Sequence, residues 1–193
     1  MVMSSLISAS EFAERKLDLP EGGRWHELHD GQTVIMEAPD DDHGNAVLNL
    51  SRALAQWLQT RVEKTTAYAC HEIGLHVASD PDSVYCPAIS FFGTGKQFEQ
   101  SDKLVADAVP DLVIDIASAN DRRRDMRRRT LSYIELGVHA VWVPDPMKKE
   151  VQVITSGEQT VAIAGRQLVE SPALLPGFHI PVSNVFAQPE WWK

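Results

Sequence analysis

The sequence has few cysteines and no long apolar segment. Only Cys70 and Cys86 occur among 193 residues, which favours reduced, half-buried thiols, although a disulfide stays open. No segment approaches the roughly 20 apolar residues that a membrane span needs, so we expect no membrane contact. The first ten residues contain neither a basic stretch nor an apolar block, and we therefore expect no export signal and a cytoplasmic location.

Positive charge is also scarce. The chain has 18 Lys and Arg residues against 27 Asp and Glu residues, a net charge of −9. Proteins that neutralise phosphates usually carry a basic surface, so this balance argues against tight, non-specific DNA binding but leaves room for a local patch. Six arginines within eight positions form such a patch: Arg122, Arg123, Arg124, Arg127, Arg128 and Arg129.

Two familiar catalytic patterns are missing. Residues 93–96, Gly-Thr-Gly-Lys, hint at a phosphate-binding loop, but Gln97 replaces the needed Ser or Thr and Ser90 stands where the first glycine belongs. No Gly-x-Ser-x-Gly elbow of a serine hydrolase occurs, and we find no internal repeat or low-complexity tract. The function must therefore be sought in other patterns.

The length suits one domain, residues 1–193, with a sizeable core. Ser8 or Ser10 followed by Glu11 predicts a helix start, and Asp30-Gly31 predicts a tight hairpin turn. Hydrophobic periodicity predicts helices over residues 12–16, 43–62 and 121–136, and strands over residues 25–28, 33–36, 72–77, 84–92, 111–116, 138–143, 151–154, 161–163 and 179–182.

This order of elements predicts an α/β (α+β) fold, a mixed sheet flanked by helices. Strand, helix and strand between residues 111 and 143 predict a parallel crossover unit. Ser118 or Asn120 is expected to cap the crossover helix, and Gly137 suits the left-handed position that ends it.

Four local patterns occur together and in order. They are residues 24–31 (Arg-Trp-His-Glu-Leu-His-Asp-Gly), His43 at a helix start, residues 84–91 (Val-Tyr-Cys-Pro-Ala-Ile-Ser-Phe), and residues 110–118, which continue through Arg129, Tyr133, residues 137–138 and residues 142–146. As a set, they resemble the Uma-two family of restriction endonucleases, part of the PD-(D/E)XK nuclease superfamily. The resemblance extends over nearly the whole chain, as far as residue 178.

The resemblance implies a restriction-endonuclease-like fold with a divalent-metal site that hydrolyses phosphodiesters. In such a family an aspartate after a proline and a glutamate on the next strand hold the metal, and a lysine on the following helix lies beside the metal-bound water. Carboxylates suit Mg²⁺ or Mn²⁺, which lower the pKa of bound water and offset charge on the phosphate. The implied partner is nucleic acid, and analogy suggests a homodimer.

The sequence departs from that pattern at three positions. Ala88 stands where the aspartate after Pro87 is expected and offers no ligand atom, while Asp115 replaces the glutamate and shortens the arm by one methylene. Arg129 replaces the lysine. Because arginine stays protonated, it can orient or neutralise a phosphate but hardly act as a base. The expected metal site is therefore incomplete, and the loss at Ala88 is the most damaging.

Glu27, on the predicted hairpin, is the better candidate for a second metal ligand beside Asp115. Asp111 and Asp115 would share one strand face but lie about 13 Å apart, too far to bind one ion. The run of aspartates at residues 40–42 more simply favours the N-terminus of the following helix.

Structural interpretations compete with these roles. Asp115 could instead form an ion pair with Arg129, Glu27 could be an ordinary glutamate of an exposed strand, and His43 fits a solvated helix start. The arginine patch fits a solvated helix face with pairs from Asp121 to Arg124 and from Asp125 to Arg128 or Arg129. Tyr133 and Trp142 fit core packing better than base stacking.

Two hypotheses follow. In the first, the chain is a divalent-metal-dependent nuclease with a degenerate site of weak or no activity, where Asp115 holds the metal, Glu27 assists and Arg129 faces the phosphate. In the second, it is a nuclease-fold binding or regulatory protein that has lost catalysis. Because a fold does not fix a function, the geometry of the site has to decide between them.

Overall fold

The computed structural model describes residues 6–61, 65–118 and 120–189, with only the backbone of residues 120 and 121. The described helices are α1 (Ala9–Arg15), α2 (Asp41–Gln59), α3 (Asn120–Leu136) and α4 (Val182–Val185). The described strands are β1 (His26–His29), β2 (Gln32–Ile35), β3 (Tyr68–His71), β4 (Leu75–Ala78), β5 (Ser83–Tyr85), β6 (Ile89–Phe92), β7 (Leu112–Ile114), β8 (Ala140–Asp145), β9 (Glu150–Thr155), β10 (Val161–Ala164), β11 (Leu168–Val169) and β12 (Ile180–Pro181).

The first helix and the hairpin form where local chemistry predicts them. Ser8 caps α1 through a capping box, in which its side chain accepts from the Glu11 N–H and the Glu11 carboxylate accepts from the Ser8 N–H. β1 and β2 pair antiparallel around Asp30 and Gly31, whose φ angles are 48° and 76°. Positive φ at both positions is what a tight turn of this handedness requires. The predicted hairpin is confirmed, and it places Glu27 in β1.

Helix α2 begins two residues earlier than predicted. The Asp40 side chain accepts a hydrogen bond from the His43 N–H at 2.8 Å, and two more aspartates occupy the first turn. Carboxylates there stabilise the positive end of the helix dipole, which confirms the interpretation of this acidic run as a helix start. The helix ends at Gln59, and the predicted end near Val62 falls outside the described residues.

Two main sheets form the fold. The larger has the strand order β10-β9-β8-β7-β6-β3 and is mixed, because β7 and β8 are parallel while its other neighbours are antiparallel. The smaller has the order β2-β1-β5-β4, and β11 pairs with β12 as a separate ribbon. The predicted mixed sheet flanked by helices is therefore confirmed, with a second sheet added to it.

That second sheet corrects two strand predictions. The predicted strand 84–92 is two strands, with β5 in the smaller sheet and β6 in the larger. Cys86 and Pro87 lie between them, and proline cannot donate a hydrogen bond to a strand ladder. Only residues 75–77 of the predicted strand 72–77 lie in a strand, β4 of the smaller sheet, because residues 72–74 connect β3 of the larger sheet to β4. Hydrophobic runs do not reveal where a chain passes from one sheet to another.

The larger sheet buries both of its faces. On one face, Leu50 and Leu54 of α2 belong to a core cluster with Ile114 and Trp142. On the other, Met126 and Tyr133 of α3 pack with Val113 and Val141. Tyr133 and Trp142 are both fully buried, which confirms their predicted role in packing.

The crossover from β7 through α3 to β8 is parallel, as predicted. Gly137 ends α3 with φ of 105°, a conformation that glycine adopts without a side-chain clash. Residue 119 and the side chain of Asn120 lie outside the described residues, so the predicted cap at Asn120 is not addressed. This connection sets α3 beside the chain that leaves β7, which carries Asp115.

Candidate active site

Four polar side chains from three parts of the fold meet between the two sheets. They are Glu27 from β1, Asp115 just after β7, and Arg129 and Tyr133 from α3. Each has at most 1% of its surface exposed. Unpaired charges at such depth would cost several kcal/mol each, so their partners decide what the site can do.

Helical spacing brings the α3 residues onto one face. Arg122 and Arg129 are seven residues apart, close to two turns, and Tyr133 follows Arg129 by a little more than one turn. Asp115 is fixed from the other side, because its backbone N–H donates to the Trp142 carbonyl at 3.1 Å. The larger sheet therefore holds the carboxylate and α3 carries the cations towards it.

The guanidinium of Arg129 binds both carboxylates. Its Nη1 donates to Glu27 Oε2 at 2.6 Å and its Nη2 to Glu27 Oε1 at 3.0 Å, a bidentate pair. Its Nε donates to Asp115 Oδ2 at 2.7 Å. Charge-assisted bonds in this planar geometry are among the strongest that a side chain makes. We expected Arg129 to face a phosphate, but it is fully buried and faces the two candidate ligands instead.

Tyr133 and Arg122 complete the surroundings of Asp115. The Tyr133 hydroxyl donates to Asp115 Oδ2 at 2.8 Å and accepts from Arg129 Nη2 at 3.1 Å. Arg122 Nη1 makes a longer contact of 3.4 Å with Asp115 Oδ1. The structure thus confirms that Asp115 forms an ion pair with Arg129. The alternative partner that we considered for Asp125, Arg129, is not the one it contacts, since Asp125 pairs with Arg128.

Glu27 is held by two further donors. Its Oε1 accepts from the Cys86 N–H at 2.8 Å, and its Oε2 lies 2.9 Å from His29 Nε2. Arg128 contacts His29 Nδ1 at 3.2 Å. Since arginine can only donate, His29 Nδ1 accepts this hydrogen bond. Nε2 therefore carries the ring N–H, which donates a hydrogen bond to Glu27. Glu27 is therefore no ordinary exposed strand residue, because its carboxylate is surrounded by donors.

The electrostatics follow from these contacts. Burial alone would raise the pKa of Glu27, but the Arg129 charge and the bonds from His29 and Arg129 together hold that pKa well below its usual range. For Arg129, burial opposes the charged form, yet Asp115 and Glu27 raise its pKa well above the usual value. Burial, followed by the neighbouring carboxylates, raises the pKa of Tyr133. Glu27 and Arg129 are therefore permanently charged near neutral pH, while Tyr133 remains neutral.

His43 lies at the edge of this cluster and is buried. Its Nδ1 is 2.8 Å from Ser118 Oγ, in the segment that leads into α3. Burial and the nearby Arg122 charge lower the pKa of His43 to about 4, although Asp115 and Asp40 oppose that shift. We favoured a solvated helix start for this histidine, and the structure corrects that expectation because the segment before α3 covers the start of α2.

Ala88 comes just before β6 and Asp115 just after β7 of the larger sheet. Ile89 pairs with Ile114, so continuing the antiparallel register by one residue brings Ala88 opposite Asp115. Ala88 is 3% exposed and belongs to the apolar core. The position at which the family resemblance implies a metal ligand therefore carries only a methyl group.

The carboxylate oxygens of Glu27 and Asp115, as they are arranged, do not fit a divalent cation. Each Glu27 oxygen already accepts two hydrogen bonds, and Asp115 Oδ2 accepts from both Arg129 and Tyr133. Asp115 Oδ1 is held more loosely, by the long contact with Arg122. Mg²⁺ and Mn²⁺ need several free oxygen ligands, and no group of three or more His, Cys, Asp or Glu suited to a metal occurs within residues 6–61, 65–118 and 120–189. Metal binding stays a prediction that this geometry does not favour.

The other acidic candidates lie apart from the cluster. Asp111 Oδ2 accepts from the Gly93 N–H at 2.7 Å, and the aspartates at residues 40–42 begin α2. The six arginines of α3 differ in their exposure. Arg122 and Arg129 are buried, and Arg123 is partly buried and pairs with Asp145 at 2.6 Å. The other three are exposed: Arg124, Arg127 and Arg128.

Of the predicted pairs within the arginine patch, Asp125 with Arg128 forms at 3.2 Å, while the side chain of Asp121 lies outside the described residues. Sequence reasoning missed the roles of Arg122, His29 and the Tyr133 hydroxyl. Helical spacing from Arg129 could have indicated Arg122 and Tyr133, but the contact of His29 depends on how the two sheets pack.

Comparisons with known proteins agree on the family and the fold. The family model of Uma2, described as "Putative restriction endonuclease", matches residues 12–183. A crystal structure from Anabaena variabilis, described as a "putative nuclease belonging to DUF820", shares 21% identity and covers 93% of this chain and 97% of its own, with a TM-score of 0.73. No curated protein matches the sequence. No described helix is long and apolar enough to cross a membrane. Since the family match spans nearly the whole chain, this protein belongs to the Uma2 restriction endonuclease family.

Proposed function

We propose that this protein is a nuclease-fold protein that binds nucleic acid and has lost metal-dependent phosphodiester hydrolysis. The observation that carries the proposal is the buried contact of Arg129 with both Glu27 and Asp115. A metal that activates water needs free carboxylate oxygens and an open coordination position. Here the Arg129 guanidinium binds oxygens of both Glu27 and Asp115, and Ala88 supplies no further ligand atom.

A nucleic-acid-binding role is supported by the exposed arginines of α3. Arg127 lines an open cleft of about 670 Å³ between α3 and the β8–β9 hairpin, together with Arg123 and Lys148. Arg124 and Arg127 form no ion pair with the acidic side chains that the structure describes. Exposed arginines are well suited to phosphate oxygens. Because the chain as a whole is acidic, binding would be restricted to this face and would weaken with salt.

Binding and cleavage can be measured separately. We expect the purified chain to bind a fluorescent oligonucleotide in EDTA, with Arg127→Glu weakening binding more than Arg166→Glu. Arg166 is exposed on the turn between β10 and β11 and gives the same change of charge. With Mg²⁺ or Mn²⁺, supercoiled plasmid should stay uncut. No binding in EDTA, or equal losses in the two variants, would count against the proposed surface.

A metal-dependent nuclease of low activity remains a second candidate. It is favoured by one observation, the convergence of the carboxylates Glu27 and Asp115 on a common point. Chelator-sensitive plasmid cleavage that is lost in Asp115→Asn, with circular dichroism showing that the variant is folded, would establish this candidate and reject the loss of hydrolysis.

A further inference from the structure

We infer that the buried arginines Arg129 and Arg122 have replaced a divalent cation in this site, which makes Glu27 and Asp115 a latent metal site that Arg129 blocks and Ala88 leaves incomplete. The inference rests on the proposed function, since it explains why hydrolysis is lost. It adds a testable statement about the site itself: two changes together, and neither one alone, turn it into a metal site.

The charges of the cluster balance without a metal. Two carboxylates, Glu27 and Asp115, face two guanidinium groups, Arg129 and Arg122, within 3.4 Å. All four residues are at most 6% exposed. A buried cluster of zero net charge has no need of an external cation, whereas one with excess negative charge would attract it strongly. The arginines thus carry the two positive charges that a divalent ion would bring.

Arg129 also occupies the space between the carboxylates. Three of its nitrogens donate to them at 2.6, 2.7 and 3.0 Å, and its guanidinium lies 4.7 Å from the centre of the Tyr85 ring. A cation that bound both carboxylates would have to displace a group held by hydrogen bonds and ring contact. Lysine at this position would be different, because its single ammonium cannot span both carboxylates in a bidentate manner.

Ala88 is the second obstacle to metal binding, and we expect that Ala88→Asp alone does not create a metal site. Extending the β6–β7 register by one residue beyond its last pair, Ile89 with Ile114, places this position opposite Asp115. An aspartate there would add a third carboxylate next to the existing cations, and Arg122 or Arg129 would neutralise it. If Arg129→Lys also removed the guanidinium fork, the same three carboxylates would have oxygens free for a metal. Hard divalent ions bind more tightly as the number of charged oxygen ligands rises.

Calorimetric titration with MnCl₂ tests this inference on four chains: wild type, Ala88→Asp, Arg129→Lys and the double variant Ala88→Asp/Arg129→Lys. We expect Mn²⁺ to bind the double variant with one-to-one stoichiometry and at least about tenfold more tightly than any other chain. Ala88→Asp/Arg124→Lys is the matched control, because Arg124 is exposed on the same helix. It should bind no better than wild type. Circular dichroism identifies any variant that fails to fold.

Equal Mn²⁺ affinity in the folded single and double variants would overturn the inference. So would tight binding by Ala88→Asp alone, since Arg129 would then be no obstacle. If the double variant does not fold, the wild-type chain gives the answer by NMR. Mn²⁺ should not broaden the Nε–Hε signal of Arg129 more than those of exposed arginines, and selective broadening would overturn the replacement of a metal by arginine.

These readouts are independent of the proposed function. Metal affinity and paramagnetic broadening report on the cluster, whereas oligonucleotide binding and plasmid cleavage by wild type report on the function. A wild-type chain that binds no nucleic acid would reject the function while leaving the latent site to be judged by the Mn²⁺ titration.

Discussion

Arg129 and Glu27 form a bidentate ion pair across 102 residues of sequence, with nitrogen–oxygen distances of 2.6 and 3.0 Å and neither side chain more than 1% exposed. The pair joins α3, which packs on the larger sheet, to β1 of the smaller sheet. It also occupies the Glu27 carboxylate, which we predicted from the sequence as a second metal ligand. One contact therefore links the architecture of this protein to the proposed loss of its chemistry.

Removing the cation should destabilise the protein strongly. Arg129→Met leaves Glu27 and Asp115 buried without their main partner, and breaking a buried pair in this way typically lowers the free energy of unfolding by about 3–5 kcal/mol. Chemical denaturation measures the change. Arg127→Met is the control, because Arg127 is exposed on the same helix, and we expect a change of about 0.5 kcal/mol or less. Similar losses in both variants would contradict a structural role for the buried pair.

The Tyr133 hydroxyl should contribute separately. Tyr133→Phe removes the donor to Asp115 and an acceptor for Arg129, so we expect a loss of about 1–3 kcal/mol. Tyr85→Phe serves as control, since its ring also contacts Arg129 while its hydroxyl makes no hydrogen bond to the described residues. Urea unfolding of the two variants should rank Tyr133→Phe as the less stable, and the reverse order would argue against the hydrogen-bond network.

Stability should fall in mild acid because of His43. Its pKa is about 4 in the folded protein, below the ordinary value of 6.5, so the folded state binds a proton less readily than the unfolded state. The contribution of His43 to the free energy of unfolding is therefore fully present above about pH 6.5 and is lost as the pH falls towards 4. Below pH 4 it no longer changes. The shift from 6.5 to about 4 corresponds to about 3 kcal/mol of stability.

His43→Asn isolates this effect, because asparagine does not titrate and can still contact Ser118. We expect the difference in free energy of unfolding between wild type and variant to change between pH 6.5 and 4 and to be constant above pH 7. His71 also has a pKa lowered by burial, but it is present in both chains and cancels in the difference. A difference that does not depend on pH would reject the assignment.

Chelation should leave the protein unchanged. A ligand that binds only the folded state stabilises it by RT ln(1 + [L]/Kd), so the melting temperature rises with the ligand concentration. Since the carboxylates are already paired with Arg129, we expect the same melting temperature in EDTA and in millimolar Mg²⁺ or Mn²⁺, measured by differential scanning fluorimetry. A rise that grows with Mn²⁺ concentration and disappears in Asp115→Asn would contradict the assignment of Arg129 as the resident cation.

Local chemistry predicted much of the fold. The Ser8 capping box, the Asp30-Gly31 turn and the Gly137 helix end all form as expected, because each depends on hydrogen bonds and φ angles within a few residues. The crossover around α3 also follows from the order of its elements. The division of residues 84–92 between two sheets was missed, since neighbours from distant segments decide which sheet a strand joins.

The sequence by itself determined which groups were available for chemistry. It contains carboxylates at Glu27 and Asp115, no ligand at Ala88, and an arginine at position 129 that is charged at any ordinary pH. Only the tertiary structure decided what these groups do together. An arginine on a helix can point to solvent, to a phosphate or inward, and the packing of α3 against both sheets directs Arg129 inward. In a buried site, a charge without a partner is too costly to persist, so the two carboxylates and the guanidinium satisfy one another.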